Sequence, residues 1–437
     1  MARGSFRKKA AATTGAEWSL TAVGDAIIGN RTRHLDRPED PGFHELCKLI
    51  RGVDVASVNL ETNVFDMTTF TGSPGAERGG SYLIAPPVAL DDLAAMGFHL
   101  FARGNNHAGD WGIEGLRATT RVLDARGLPH SGCGENLSAA GRPVYLDTVV
   151  GRVAMLSLTT TFPASHRAGM QRGDVAGRPG VNGVRVKRKL ELDPATYRTI
   201  SAAQAAQGNP RLFENANLTL AEGTETRIVE WLDPRDVDRV LKEIRNAAAF
   251  ADIVLINGHT HEPANKVTGA PEWLVAFARA CIDAGATAYL GHGPHQLRGV
   301  EIHAGRPIFY SLGNFVFHRD TTEPVPADQY EVLDLPGATS MPHEYYDKRA
   351  GQTHSLNFAD AAYYESVVPI LRFRDGKVAQ MAFHPVELSQ ADPPSRRGTP
   401  RLADKATGQR IVERLASLSE PFGCRIAWKG GIGVWHA

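Results

Sequence analysis

Two pairs of histidines, His259 with His261 and His292 with His295, each follow a short apolar run that ends at a glycine. Such a run predicts a buried parallel strand that leads into a loop. Because open α/β sheets bind ligands at the carboxyl ends of their strands, we expect both pairs in one crevice. Four imidazoles brought together there predict a metal site or a proton-transfer site. The alternative is that two or more of them only cap strands or bind loop carbonyls.

Further polar side chains stand at or just beyond predicted strand ends earlier in the chain. They are Asp25, Glu61, Asn106 and His107, with Asp110 three residues further on. Carboxylate, amide oxygen and imidazole together form a ligand set for divalent metals rather than a thiolate set. As an alternative, Asp25 and Asp110 would each only cap a following helix.

The elements that must position these residues alternate between strand and helix as far as Leu158, which predicts parallel βαβ units. Two long stretches interrupt the alternation, at about 160–215 and 321–360, and we interpret them as irregular insertions that form walls or lids. The expected organisation is one domain over 16–390. The C-terminal helix and tail, 391–437, are expected to pack on the same domain.

Composition excludes several classes of protein. Among the 437 residues, Lys+Arg and Asp+Glu both number 48, so net charge gives no argument for a nucleic acid or a membrane surface as partner. The four cysteines show no CxxC spacing and therefore no zinc-ribbon signal. No segment reaches the roughly 18 apolar residues of a membrane span, and Met1–Gly15 lacks the apolar core of a secretory signal. We therefore expect a cytoplasmic protein.

Several motifs resemble those of the CapA/PgsA family of capsule and poly-γ-glutamate synthesis proteins. Besides the His259 segment, they are GDAIIGNR, NLE, NNHAGDWGIEGL, GHGPHQLRGVEI and YSLGNFVF, spread from about Gly24 to Phe317. That family is similar in turn to the calcineurin-like metallophosphoesterases. The resemblance implies an α/β fold of four layers, in which two central mixed β-sheets are flanked by helices.

The resemblance also implies a ligand set for a divalent metal ion. Carried over by motif, the ligands are Asp25, Glu61, Asn106, His259 and His292. Ile27 stands where the phosphoesterases place the second ligand of their first metal, and isoleucine cannot coordinate. We therefore expect one well-held ion rather than the two-metal clamp. The oxygen ligands favour Ca²⁺, Mn²⁺ or Mg²⁺, and the histidines leave Zn²⁺ as the alternative.

The remaining histidines and aspartates suit proton transfer, because imidazole titrates near neutrality. We predict that Asp25 pairs with His295 and that Asp110 pairs with His107, with His261 as a third proton carrier. Two such groups on opposite sides of a carbon, with a cation to stabilise an enolate, are what an epimerase needs.

Some soluble relatives of CapA resemble peptide epimerases of lasso-peptide clusters, which invert the Cα of a C-terminal residue in a ribosomally made precursor peptide. The resemblance therefore implies a metal-dependent peptide epimerase with a precursor peptide as its substrate. The alternative is a metal-dependent hydrolase, either a phosphoesterase or an amide-bond enzyme of poly-γ-glutamate metabolism. A third reading is a binding protein that keeps the fold without catalysis.

Overall fold

The computed structural model describes residues 17–75, 81–215, 217–351 and 360–437, so Met1–Gly15 lies outside the described residues. The first strands are β1 (Glu17–Ile27), β2 (Val55–Leu60), β3 (Asn63–Val64), β4 (Ile84–Ala85), β5 (Leu100–Ala102), β6 (His130–Ser131), β7 (Cys133–Gly134), β8 (Val144–Thr148), β9 (Gly151–Thr159), β10 (Gly180–Val181), β11 (Val186–Leu192) and β12 (Leu218–Glu222). They continue with β13 (Arg227–Leu232), β14 (Ile253–His259), β15 (Ala288–His292), β16 (Val300–His303), β17 (Arg306–Phe309), β18 (Asn314–Phe317), β19 (Glu365–Arg374), β20 (Lys377–Glu387), β21 (Arg401–Leu402), β22 (Ala427–Lys429) and β23 (Ile432–His436).

The α-helices connect these strands and cover them. They are α1 (Pro41–Arg51), α2 (Pro87–Met96), α3 (Gly112–Asp124), α4 (Leu137–Ala140), α5 (Pro194–Ala206), α6 (Pro234–Phe250), α7 (Glu272–Asp283), α8 (Ala327–Glu331), α9 (Pro342–Gly351) and α10 (Lys405–Ser419). No helix of the described residues is long and apolar enough to cross a membrane.

Two mixed sheets form the centre of the molecule. The larger has ten strands in the order β22-β23-β20-β19-β1-β2-β5-β6, with β18 paired to β1 and β21 paired to β20. The smaller has six strands in the order β16-β17-β15-β14-β9-β8. In each sheet the strands next to the predicted site are parallel, as β1 is to β2 and β14 is to β15.

Three hydrophobic clusters define the layers. Leu46 of α1 and Leu90 of α2 belong to the cluster on one face of the ten-stranded sheet. Leu20 of that sheet and Leu255 of the six-stranded sheet share the cluster between the two sheets. Phe277 of α7 belongs, with α6, to the cluster on the other face of the six-stranded sheet. The four-layer sandwich of the calcineurin-like metallophosphoesterases, expected from the resemblance, is therefore confirmed.

The strand pairing brings the polar strand ends together. In the six-stranded sheet His259 is the register partner of His292. In the ten-stranded sheet Asp25 is the partner of both Asn59 and Asn314. Asp25 thus lies within β1 and not in a loop before a helix, so the alternative that it caps a helix is wrong.

The stretch at about 160–215 is less irregular than predicted. It contains β11 and α5, and β11 pairs with β12 and β13 in a separate three-stranded sheet. The apolar pattern of a strand is missing because β11 carries charged residues that are paired across the small sheet, for example Arg188 with Glu230 at 2.7 Å. The start of α5 was signalled in the sequence, since Asp193 caps it by accepting from the amides of Ala195 and Thr196. The stretch at 321–360 likewise contains α8 and α9.

Replacing Leu255 by alanine tests the core between the sheets. Leu255 is fully buried there, so we expect Leu255→Ala to lower the free energy of unfolding by about 2–5 kcal/mol through lost burial and a residual cavity. Denaturant unfolding measures this. Val149→Ala, at a position 98% exposed, is the matched control and should change little; similar losses in both variants would contradict the described packing.

Candidate metal centre

Asp25 is positioned by the close approach of Gly24 to Gly313. A Cβ on residue 24 would lie 1.8 Å from the carbonyl oxygen of Gly313, so only glycine permits this approach of β1 to the chain before β18. The amide of Asp25 donates to that same carbonyl at 2.9 Å. Its carboxylate accepts from Asn59 Nδ2 at 2.8 Å and from the amide of Gly293 at 3.1 Å, which links the two sheets. Asp25 is therefore held from both sides of the crevice.

Asp25, His259 and His292 form a first possible ligand set. The Nδ1 atoms of the two histidines are 3.0 Å apart, and each lies 3.6 Å from Asp25 Oδ1. All three side chains are fully buried. Ile27 contributes nothing here, since it is buried in the cluster that contains α1 and α2.

Glu61, His259 and His261 form a second possible set, with Asn106 beside it. His259 Nε2 is 2.9 Å from His261 Nε2, 2.7 Å from Asn106 Oδ1 and 3.4 Å from Glu61 Oε1. A neutral imidazole has one lone-pair nitrogen, so His259 serves only one of the two sets at a time. This sharing agrees with one well-held ion, although the number of ions stays a prediction.

The chemistry of these atoms fits a divalent cation. Among the described residues, neither oxygen of Glu61 has a hydrogen-bond partner, although both are buried. Buried polar atoms without partners are costly, and a cation would satisfy them. Atoms ~2.1 Å from a shared ion lie about 3.0–3.4 Å apart in octahedral or tetrahedral geometry. The measured separations of 2.7–3.6 Å bracket that range.

The pKa values of the two carboxyl groups are shifted in opposite directions. Burial raises the pKa of Glu61 well above its ordinary value, and the nearby charge of Asp25 raises it further. Burial also opposes ionisation of Asp25, but side-chain hydrogen bonds with His259 and His295 hold its pKa well below the ordinary value. Two buried like charges cannot both ionise at low cost unless a positive charge lies between them.

Three histidines of these two sets are held in the neutral form. Burial lowers the pKa of His259, and it lowers the pKa of His292 to about 3. Burial and the neighbouring histidines lower the pKa of His261 well below its ordinary value. Neutral imidazoles keep the lone pair that a metal ion requires.

The predicted pair of His107 and Asp110 is present, with Nδ1 and Oδ2 2.7 Å apart. Asp110 also accepts from the amide of Leu83 at 2.9 Å, while α3 has no side-chain cap at Trp111. The alternative that Asp110 caps α3 is therefore wrong. His107 Nε2 lies 3.9 Å from Glu61 Oε1, at the edge of the centre.

His295 lies near Asp25, as predicted, but has a closer partner. Its Nδ1 is 3.4 Å from Asp25 Oδ2 and 2.9 Å from Asn314 Oδ1. Both neighbours are acceptors, so Nδ1 carries the proton and Nε2 the lone pair. The residue adopts a left-handed backbone with φ of 61°, a conformation that is uncommon for residues other than glycine.

His261 lies among the metal-ligand atoms instead of apart from them. Its Nε2 faces His259 Nε2, and the second ligand set includes it. This geometry favours a ligand role over the proton-carrier role that the sequence suggested. His292 and His259 remain beside Asp25, as the motif predicted.

Sequence reasoning missed four asparagines that organise the site. Asn59 donates to the carboxylate of Asp25, and Asn314 accepts from the imidazole of His295. Asn105 donates to Asn59 and to the Leu60 carbonyl, and Asn265 contacts His261. Three of them stand inside motifs already noted, namely NLE, NNH and LGNF. Their position beside the assigned residues was the available signal.

The chain is similar to several known bacterial proteins. The family model "Bacterial capsule synthesis protein PGA_cap" matches residues 19–319. The chain is 39% identical over 432 residues to "Uncharacterized protein y4sH" of Sinorhizobium fredii, covering 95% of this chain and 92% of that protein. It is 26% identical to "Capsule biosynthesis protein CapA" of Bacillus anthracis, covering 70% of this chain and 61% of that protein.

One solved structure also aligns with the chain. The Haemophilus influenzae NAD nucleotidase (NadN) covers 92% of this chain and 56% of its own, with 12% identity and a TM-score of 0.33. A similarity of that size carries no argument about function.

We predict that metal binding releases a proton from Glu61. Below its raised pKa the metal-free carboxyl is protonated and must lose that proton to bind a cation, so affinity should rise with pH across that range. Titration calorimetry with Mn²⁺, in buffers of different ionisation enthalpy, counts the protons released. Glu61→Gln cannot titrate and should release fewer protons while binding more weakly. Unchanged proton release in that variant would exclude Glu61 as the source.

Proposed function

The chain belongs to the bacterial capsule synthesis protein PGA_cap family, and from this premise we propose that it is a metal-dependent peptide epimerase that inverts a Cα centre. The broader part of the proposal, a metal-dependent enzyme, is supported by the family, by the four-layer fold and by the buried ligand sets. The epimerase reaction rests on the arrangement of two further histidines.

One observation supports this type of reaction. His107 and His295 lie beside different oxygens of Glu61: His107 Nε2 is 3.9 Å from Oε1, and His295 Nδ1 is 4.0 Å from Oε2. Each imidazole has its Nδ1 engaged by an acceptor, Asp110 in one case and Asn314 in the other. Nε2 is then the proton-transfer atom in both rings; in His107 it is the nitrogen beside Glu61, whereas in His295 the nitrogen beside Glu61 is Nδ1. Two proton carriers around one ligand group fit a two-base epimerisation.

In the proposed reaction, one imidazole accepts the Cα proton, and the electron pair of the broken C–H bond moves into the adjacent carbonyl as an enolate. The other imidazole, which begins the reaction protonated on both nitrogens, donates its Nε2 proton to the opposite face of the carbon, so the product differs from the substrate only in configuration and the two imidazoles have exchanged protonation states. Asp110 and Asn314 keep the two rings oriented throughout. A divalent cation, when bound, supplies positive charge that stabilises the enolate oxygen.

The proposed metal is supported by the ligand atoms, and the proposed substrate by resemblance. A set of one carboxylate, one amide oxygen and two imidazoles suits Mn²⁺ or Zn²⁺ better than Ca²⁺ or Mg²⁺, which take shells of oxygen. The substrate, a ribosomally made lasso-type precursor peptide changed at its C-terminal residue, is supported by resemblance to soluble relatives. A cytoplasmic location is part of the same proposal.

A metal-dependent hydrolase is the second candidate. It is favoured by the third possible ligand set, Asp25 with Glu61 and His295, which overlaps the other two. A centre that accommodated two ions could activate water toward a phosphoester or an amide. The curated relatives named for capsule or poly-γ-glutamate biosynthesis make an amide-bond substrate of that polymer the related possibility.

Solvent exchange separates the two candidates. With a candidate precursor peptide in D₂O, an epimerase should add one deuterium at one residue, about one dalton by mass spectrometry, without cleaving the chain. The gain should depend on added Mn²⁺ and disappear with a chelator. Turnover of a generic phosphodiester together with no deuterium uptake would reject the epimerase in favour of the hydrolase.

We expect His295→Ala to lower the epimerisation rate by about 10²–10⁴-fold, because loss of a general acid or base costs that much. The variant should keep its fold, as circular dichroism and thermal unfolding would show. His303→Ala, which removes a histidine at a hairpin remote from the site, is the matched control and should retain activity. Full activity in folded His295→Ala would remove His295 from the mechanism.

A further inference from the structure

The loop that follows His261 contains a side chain that determines which nitrogen of that histidine is free. We propose that Asn265 is a positioning residue that fixes His261 as an Nε2 metal ligand. Asn265 Oδ1 lies 2.7 Å from His261 Nδ1. An amide oxygen only accepts, so Nδ1 carries the proton and Nε2 keeps the lone pair. That Nε2 is the atom 2.9 Å from His259 Nε2 in the second ligand set.

Asn265 is itself held by buried side chains, although its neighbours in the loop are exposed. The side-chain amide of Gln296 donates to the carbonyl of Asn265. Arg298, which is fully buried, donates to the carbonyls of Val267 at 3.2 Å and Ala264 at 3.4 Å. A loop held at the carbonyls of Ala264, Asn265 and Val267 keeps the amide oxygen in one place.

His261 is therefore held both at its backbone and at its ring. The backbone amide of His261 donates to Thr161 Oγ1 at 3.1 Å, and its ring donates to Asn265. Gln296 directly follows His295, so the segment that carries one histidine pair also anchors the loop of the other. Loss of an acceptor behind a ligating imidazole typically costs about 10–100-fold in metal affinity. The inference rests on the metal dependence in the proposed function and not on the reaction catalysed.

The experiment measures binding of Mn²⁺ alone by titration calorimetry. Asn265→Ala should weaken binding by about 10–100-fold. Asn265→Asp should keep or strengthen it, since a carboxylate also accepts from Nδ1. Lys266→Ala, at the exposed next position, is the matched control and should bind as the native protein does.

A double-mutant cycle separates positioning from a general loosening of the loop. In a His261→Ala background the ring is gone, so Asn265→Ala should cause no further loss of affinity. The visible absorption of bound Co²⁺ should change in Asn265→Ala and stay native-like in Asn265→Asp. An equal loss in both backgrounds, or a folded Asn265→Asp that binds as weakly as the alanine variant, would overturn the proposal.

The same titrations distinguish failure of this inference from failure of the proposed function. A native protein that binds neither Mn²⁺ nor Co²⁺ would reject metal dependence and the role of Asn265 together. Native binding that Asn265→Ala leaves unchanged would reject the role of Asn265 alone. If the alanine variant does not fold, Asn265→Asp in the native and His261→Ala backgrounds still decides the question.

Discussion

Two carboxylates, Asp25 and Glu61, lie fully buried at the meeting point of the two sheets. Burial penalises the charge of both, and each raises the cost of ionising the other. The nearest imidazoles are too buried to supply a compensating charge readily, as the pKa of about 3 for His292 illustrates. The protein therefore stabilises Asp25 through hydrogen bonds, whereas neither oxygen of Glu61 has a hydrogen-bond partner among the described residues. A cation resolves this constraint, and the surrounding strand ends are arranged around its place.

Three histidines of the site have an oxygen acceptor beside the ring and differ in position. His107, His261 and His295 each have Nδ1 next to an oxygen acceptor, so Nδ1 carries the proton and Nε2 the lone pair. For His261 that nitrogen faces the ligand atoms, whereas His107 and His295 lie at the edge of Glu61. In the proposed function, the same arrangement would prepare one ring to bind a metal and the others to transfer protons. The difference between ligand and base is one of position.

Sequence patterns predicted the layered α/β fold because buried parallel strands are apolar runs and the helices between them carry capping and glycine signals. They did not predict β11, because a strand in a small exposed sheet satisfies its charged side chains by cross-strand pairing and shows no apolar alternation. The sequence also placed the end of the first strand at or just before Asp25. The strand continues through Asp25, since close contact at Gly24 keeps it paired with β18 where local patterns suggested a loop.

The amino-acid sequence alone determined which residue types stand at the strand ends, and so the kind of chemistry that the centre supports. Residue type and its place after a strand are local properties, and a linear pattern records them. The tertiary structure decided which nitrogen of His261 and of His295 keeps the lone pair, that His259 is shared between ligand sets, and that Asn265 and Asn314 lie beside those rings. These depend on contacts of about 3 Å between residues from different strands and loops, such as His259 with Asn106. Sheet register and loop packing, not sequence spacing, set such distances.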